Sequence, residues 1–91
     1  MTRAIEHKED QQRFEWTEDG TLCVLDYELR GDVMTITHTG VPQAVGGRGI
    51  AADLTLHALN TALERGWKVR PVCSYAAVYI KRHPQFQDLV V

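Results

Sequence analysis

With 91 residues, 44% of them hydrophobic and 24% charged, the chain carries enough apolar material for one core, which excludes a disordered segment and leaves little for a second domain. A core of this size has no room for a deep enclosed cavity, so a ligand is expected in a surface groove. The net charge of -2 argues against general nucleic-acid binding, and no apolar run approaches the ~20 residues of a membrane span.

Residues 1–91 therefore read as one domain. Met1 to Lys8 lacks the apolar core of a signal peptide. Ala4 to Lys8 and Arg13 to Trp16 read as short strands. Thr17-Glu18-Asp19-Gly20 forms a turn. Thr21 to Arg30 then alternates: Cys23, Leu25, Tyr27 and Leu29 point one way, Asp26, Glu28 and Arg30 the other. That is a strand with one wet face. Gly31-Asp32 is a turn signal, and Val33 to Val41 is the returning strand. Simple alternation puts Met34, Ile36 and His38 on one face and Thr35, Thr37 and Thr39 on the other. Pro42 ends the run.

From Gly49 to Arg65 the period becomes helical. Asp53, His57, Asn60 and Glu64 form a polar stripe, and Ile50, Leu54, Leu56, Leu59, Ala62 and Leu63 cover most of the remainder, which predicts broad burial. Gly66 stops the helix. Trp67 to Val72 reads as a buried strand. Ser74 to His83 is a second helix, capped near Cys73 or Ser74 and stopped before Pro84. A long helix joining neighbouring strands suggests a crossover and a parallel pair.

Val45-Gly46-Gly47-Arg48-Gly49-Ile50-Ala51 joins the strand to the first helix. Glycines let backbone approach a ligand, and the first N–H groups of a helix have no internal partners. Such a place suits a phosphate. A Walker-type loop needs a lysine and a hydroxyl at its end, where Ile50-Ala51 stands. A dinucleotide fingerprint has nominal spacing in Gly47-x-Gly49-x-x-Ala52, but Lys68 to Val72 supplies no acid for the ribose.

The remaining loop type carries a resemblance. Gly46-Gly47-Arg48-Gly49-Ile50-Ala51 resembles the (Gln/Arg)-x-x-Gly-x-(Gly/Ala) signature of GNAT-superfamily N-acetyltransferases. Gly49 and Ala51 match its last two positions; Gly46 departs from its first. The chain as a whole resembles the very small YjdJ-type branch of that superfamily. The similarity runs through Arg13-Phe14-Glu15, Asp26-Tyr27, His38 to Pro42, the glycine loop, Val69 to Tyr75, His83-Pro84 and Asp88-Leu89-Val90.

The resemblance implies an α+β minimal GNAT fold: a mostly antiparallel twisted sheet, two helices and a splayed parallel strand pair. It implies acetyl-CoA as co-substrate and an amine as acceptor, on a protein, a peptide or a small molecule. Val41, Gly46, Gly47, Arg48, Gly49, Ile50, Ala51, Cys73 and Tyr79 are then the expected CoA contacts. Backbone N–H groups near Val41 would polarise the carbonyl, and Arg48 would add charge at the phosphates. Tyr79 is the candidate acid for the departing thiolate, or else a core aromatic packed on Tyr75. Cys73, at a helix start, is a candidate nucleophile or a groove-lining residue. His38 is a candidate base or a structural histidine. Cys23 reads as core, His57 as surface, and His83 as a helix-end residue. Asp26 and Glu28 could attract a cationic acceptor. No spacing suggests a metal site. With only two cysteines, reduced thiols and a cytoplasmic protein are expected, as a monomer or weak homodimer. A non-catalytic CoA- or acyl-CoA-binding module is the main alternative, and a cofactor-free interaction or redox protein using Cys73 a third.

Overall fold

The computed structural model describes residues 3–91. Five strands, β1 (Glu6–Lys8), β2 (Arg13–Glu18), β3 (Thr21–Arg30), β4 (Val33–Gly40) and β5 (Lys68–Pro71), form one sheet in sequential order. The first four run as an antiparallel meander. β5 joins β4 in parallel after a crossover through α1 (Ile50–Arg65). A second helix, α2 (Ser74–Arg82), follows β5. Short 3-10 turns at Glu9–Gln11, Gln43–Val45 and Pro84–Leu89 complete the chain. The fold is the expected α+β arrangement.

One core lies between the sheet and the helices. β2 and β3 give it Phe14, Cys23, Leu25 and Tyr27; β4 and β5 add Met34, Ile36 and Val69. From α1 come Ile50, Leu54, Ala58, Leu59 and Ala62, and from α2 and the C-terminal turn Ala76, Tyr79, Ile80, Phe86 and Leu89. The other sheet face carries Glu28, Arg30, Lys68 and Arg70, all exposed.

Two burial expectations are corrected. α1 is not broadly buried: Leu63 is 51% exposed and Leu56 only half-buried, because the helix meets the sheet along one stripe. Trp67 to Val72 is not a buried strand either. β5 is an edge whose Lys68, Arg70 and Val72 face solvent while Trp67 and Val69 are buried. Val69 also bridges to Val90, which partly covers that edge. No helix among the described residues is long and apolar enough to cross a membrane.

The feature that positions the site is a bulge in β4. Asp26 pairs with His38, but the next residue of β3, Tyr27, pairs with Ile36, so Thr37 is an extra residue. Its hydroxyl donates to the Asp26 carbonyl at 3.3 Å. The extra residue reverses the phase of the strand beyond it. His38 therefore leaves the face of Met34 and Ile36 and lies exposed beside Asp26 on the outer face. Thr39 turns inward in its place. The expected sharing of a face by Met34, Ile36 and His38 is overturned.

Candidate active site

β4 and β5 part at the bulge. Their pairing runs from Val33–Lys68 to Ile36–Pro71 and stops. The Ile36 carbonyl accepts from the amides of both Val72 (3.1 Å) and Cys73 (2.9 Å), which turns the chain out of β5 and into α2. From Thr37 to Gly40, β4 keeps its β3 neighbour but has no β5 partner. A gap opens between the strand ends, with unpaired backbone along one wall.

The glycine loop follows β4 after Val41 and a short 3-10 turn. Gly47 (φ 76°) and Gly49 (φ 79°) take left-handed conformations that a side chain would strain. Gly49 is also the N-cap of α1 and supplies no capping side chain. The first intrahelical bond runs from the Asp53 amide to the Gly49 carbonyl at 3.1 Å, so the amides of the preceding turn have no partner within the helix. Val41, Gly46, Gly47, Gly49, Ile50 and Ala51 line one cavity of about 290 Å³ together with Ala52 and Tyr75. These are six of the residues expected at the cofactor.

Arg48 is not among them. Its guanidinium turns away to the β2–β3 turn and pairs with Asp19 (2.7 Å) and Glu18 (3.2 Å). Those two carboxylates hold it firmly protonated. Its carbonyl accepts from Arg3 at 2.7 Å. The expectation that Arg48 reaches the phosphates is corrected: the loop offers backbone donors and bare glycine surface, not its own cation.

Cys73 sits at the inner end of the gap, half-buried, with Sγ 3.5 Å from Thr39 Oγ1. Burial pushes the thiol up, but hydrogen bonds from Thr39 and the amides of Ala76 and Tyr75 favour the thiolate. Together they outweigh burial and leave it below its ordinary value. Cys23 is fully buried, and burial raises its thiol.

Tyr79 lies further along α2, stacked on His83 at 3.9 Å and 15°. Burial, then Tyr75 and Asp53, push its phenol up, so the proton stays on. It lines a neighbouring cavity with Ala52, Tyr75, Val78, Arg82 and His83. The structure thus brings together the loop residues and, separately, Cys73 with Thr39; it leaves His38 on the far face. His57 Nδ1 donates to the Asp53 carbonyl (3.0 Å) on the helix surface. Among the described residues no cluster of three or more His, Cys, Asp or Glu is placed for a metal ion.

Sequence reasoning missed Thr39 and Ala52, and it read Tyr75 only as a packing partner. Tyr75 is 40% exposed and forms part of both cavity walls. Its signal was there: Tyr75, Tyr79 and His83 recur every four residues, which places three rings along one face of a helix.

A parallel strand pair that splays, joined through a glycine-rich helix start, is the arrangement of an acyltransferase-type fold of the GNAT class. Residues 13–89 match the family of GCN5-related N-acetyl-transferases, and the chain belongs to that family as a minimal member. Among curated proteins it is similar to Protein NATD1 of Mus musculus, 35% identical over 88 residues, spanning 93% of this chain and 80% of that one. Protein NATD1 of Homo sapiens is likewise 35% identical, over 93% of this chain and 78% of its own. The fold resembles the solution structure of a GCN5-like protein from Staphylococcus aureus, with a TM-score of 0.77. That likeness covers 99% of this chain and 89% of the other at 24% identity.

Proposed function

We propose that the chain is an acetyl-CoA-dependent N-acetyltransferase acting on an amine, with Gly46, Gly47, Gly49, Ile50 and Ala51 at the pyrophosphate. The observation that carries this reading is that the glycine-loop cavity reaches Val41, the residue that directly follows the unpaired stretch of β4. Backbone amides and the α1 dipole suit a pyrophosphate without help from Arg48. The β4 edge suits the amides of a pantetheine arm, which would add to the sheet like a short strand.

In the reaction the neutral amine nitrogen attacks the thioester carbonyl. The new C–N bond forms as the C–S bond breaks, the amine proton passes to water, and CoA leaves as a thiolate that is then protonated. Backbone N–H groups near Val41 oppose the charge that develops on the carbonyl oxygen. Thr39 and Cys73 stand at the inner end of the gap. Direct attack needs no acetyl-cysteine; a covalent route would use the lowered thiol of Cys73. Two duties are open to Tyr79, acid for the thiolate or wall of the cavity.

Calorimetric titration with acetyl-CoA and CoA, followed by turnover on an amine panel, tests the proposal. Both ligands are expected to bind, and at least one amine to be acetylated. Binding without turnover would instead identify a CoA-binding module; no binding would sink the reading. Cys73→Ala is expected to keep turnover, which removes the covalent route. Tyr79→Phe separates its two duties: loss of kcat with CoA affinity intact means acid, and the reverse means wall.

A further inference from the structure

The glycine-loop cavity does not end at the loop. Ala52 and Tyr75 line both it and the neighbouring cavity of about 300 Å³, whose other walls are Val78, Tyr79, Arg82 and His83. Uncovered apolar surface faces that space: Tyr75 is 40% and Val78 47% exposed. The Tyr75 ring lies 6.5 Å from Tyr79, which in turn stacks on His83. This is a rigid aromatic wall with its outer member open to a flat partner.

The cation at this wall is uncommitted. Arg3, Arg13, Arg48 and Arg65 are each paired with a carboxylate. Arg82 has no carboxylate partner among the described residues, and it lines the cavity. The nearby carboxylate on α1, Asp53, is itself held by Arg3. An aromatic face beside a free guanidinium suits a purine carrying a phosphate.

Direction along α2 decides which part of a ligand lies here. Cys73 caps the start of the helix and Arg82 ends it, about 13 Å apart along the axis. A pyrophosphate on the glycine loop lies between these directions. The pantetheine arm would run to the gap at Thr39 and Cys73, which leaves the nucleoside for the other side.

We propose that the Tyr75–Arg82 cavity holds the 3′-phosphoadenosine of coenzyme A, with the base against Tyr75 and the 3′-phosphate on Arg82. This rests on the cofactor reading above and takes the second of the two duties given to Tyr79, wall rather than acid; the test keeps cofactor and subsite apart. Calorimetry compares CoA with dephospho-CoA, which lacks only the 3′-phosphate, on the unaltered protein and on Arg82→Gln, Tyr75→Ala and Arg48→Gln. The unaltered protein is expected to prefer CoA about tenfold or more, as one charge-assisted contact to phosphate implies. Arg82→Gln should bind both ligands alike, at the level of dephospho-CoA; Tyr75→Ala should weaken both equally; Arg48→Gln should keep the preference. Equal binding of the two ligands by the unaltered protein overturns the subsite and leaves the cofactor reading standing, whether or not any variant folds. A preference that survives Arg82→Gln, or vanishes with Arg48→Gln, also overturns it. Failure of both ligands to bind removes the cofactor reading and the subsite together.

Discussion

The two ends of α1 are built on opposite principles. At its start, Gly49 caps the helix with no side chain, and the one cation of the loop is drawn off to Glu18 and Asp19. At its finish, Gly66 and Trp67 donate to the last carbonyls, at Leu63 (3.3 Å) and Ala62 (2.8 Å). Arg65 there lies 5.3 Å above the Trp67 ring and pairs with Glu9. Under it, His7 stacks on Phe14 and meets the Tyr27 hydroxyl at 2.6 Å. A cavity of about 310 Å³ at that end is lined by Glu9, Asp10 and Arg65, so its charges already face one another. The finish is satisfied within the protein. The start leaves its donors for something else.

The sharpest way to break the comparison is to put the same strain at both ends. Gly49 and Gly66 both have positive φ (79° and 71°), and an added Cβ at either meets open space. Gly49→Ala and Gly66→Ala should each cost about 1 kcal/mol of stability by chemical denaturation. Only Gly49→Ala should also lower CoA affinity, by about tenfold, through the lost backbone approach. Equal affinities in the two variants would mean that the start of α1 is no more a binding site than its finish.

Two titratable groups, one at the gap and one below the finish of α1, sharpen the contrast. Cys73, below its ordinary thiol value, should be alkylated at lower pH than a cysteine in unfolded chain, and CoA should protect it. Thr39→Val should shift that pH profile upward, because it removes the hydrogen bond that favours the thiolate. Burial, aided by Arg65 and opposed by Glu9, holds His7 below the ordinary histidine value. Its effect is on stability alone. As pH falls below that ordinary value the unfolded chain takes up the proton first, so stability drops; above it the contribution is complete. His7→Phe should flatten this part of the stability curve and leave CoA binding unchanged.

The smallest effect expected is that of Arg48→Gln. Its ion pairs lie near the surface, with its own side chain 43% and that of Asp19 72% exposed, so both Tm and CoA affinity should barely move. A large loss of affinity, measured in the same titration, would show that the side chain swings into the groove when ligand arrives.

Much of this was legible in the sequence, for local reasons. Strict alternation in Thr21 to Arg30 and the period from Gly49 to Arg65 reflect geometry that each segment shows by itself. The turn of the loop was legible because Gly47 and Gly49 take left-handed conformations that other residues resist. The fate of Arg48 was not: its partners stand 29 and 30 positions away, and only the folded chain brings them near. The width of α1's buried stripe likewise depends on what meets it, so Leu63 looks the same as Leu59 until the sheet is in place. His38 failed for a different reason. Thr35 to Thr39 alternates without a break, and nothing in Thr-Ile-Thr-His-Thr marks one residue as extra.

That extra residue makes Thr37 a hinge in the reading frame of the strand. Deleting it would leave β3 and β4 able to pair without interruption, with His38 following Ile36 directly and keeping its outer place beside Asp26. Thr39 would stay inward opposite Leu25, and what would go is the local bend and added twist that a bulge gives its strand. One codon separates a bent strand from a straight one, and the position most sensitive in length need not be sensitive in identity, because its side chain does little more than touch the Asp26 carbonyl.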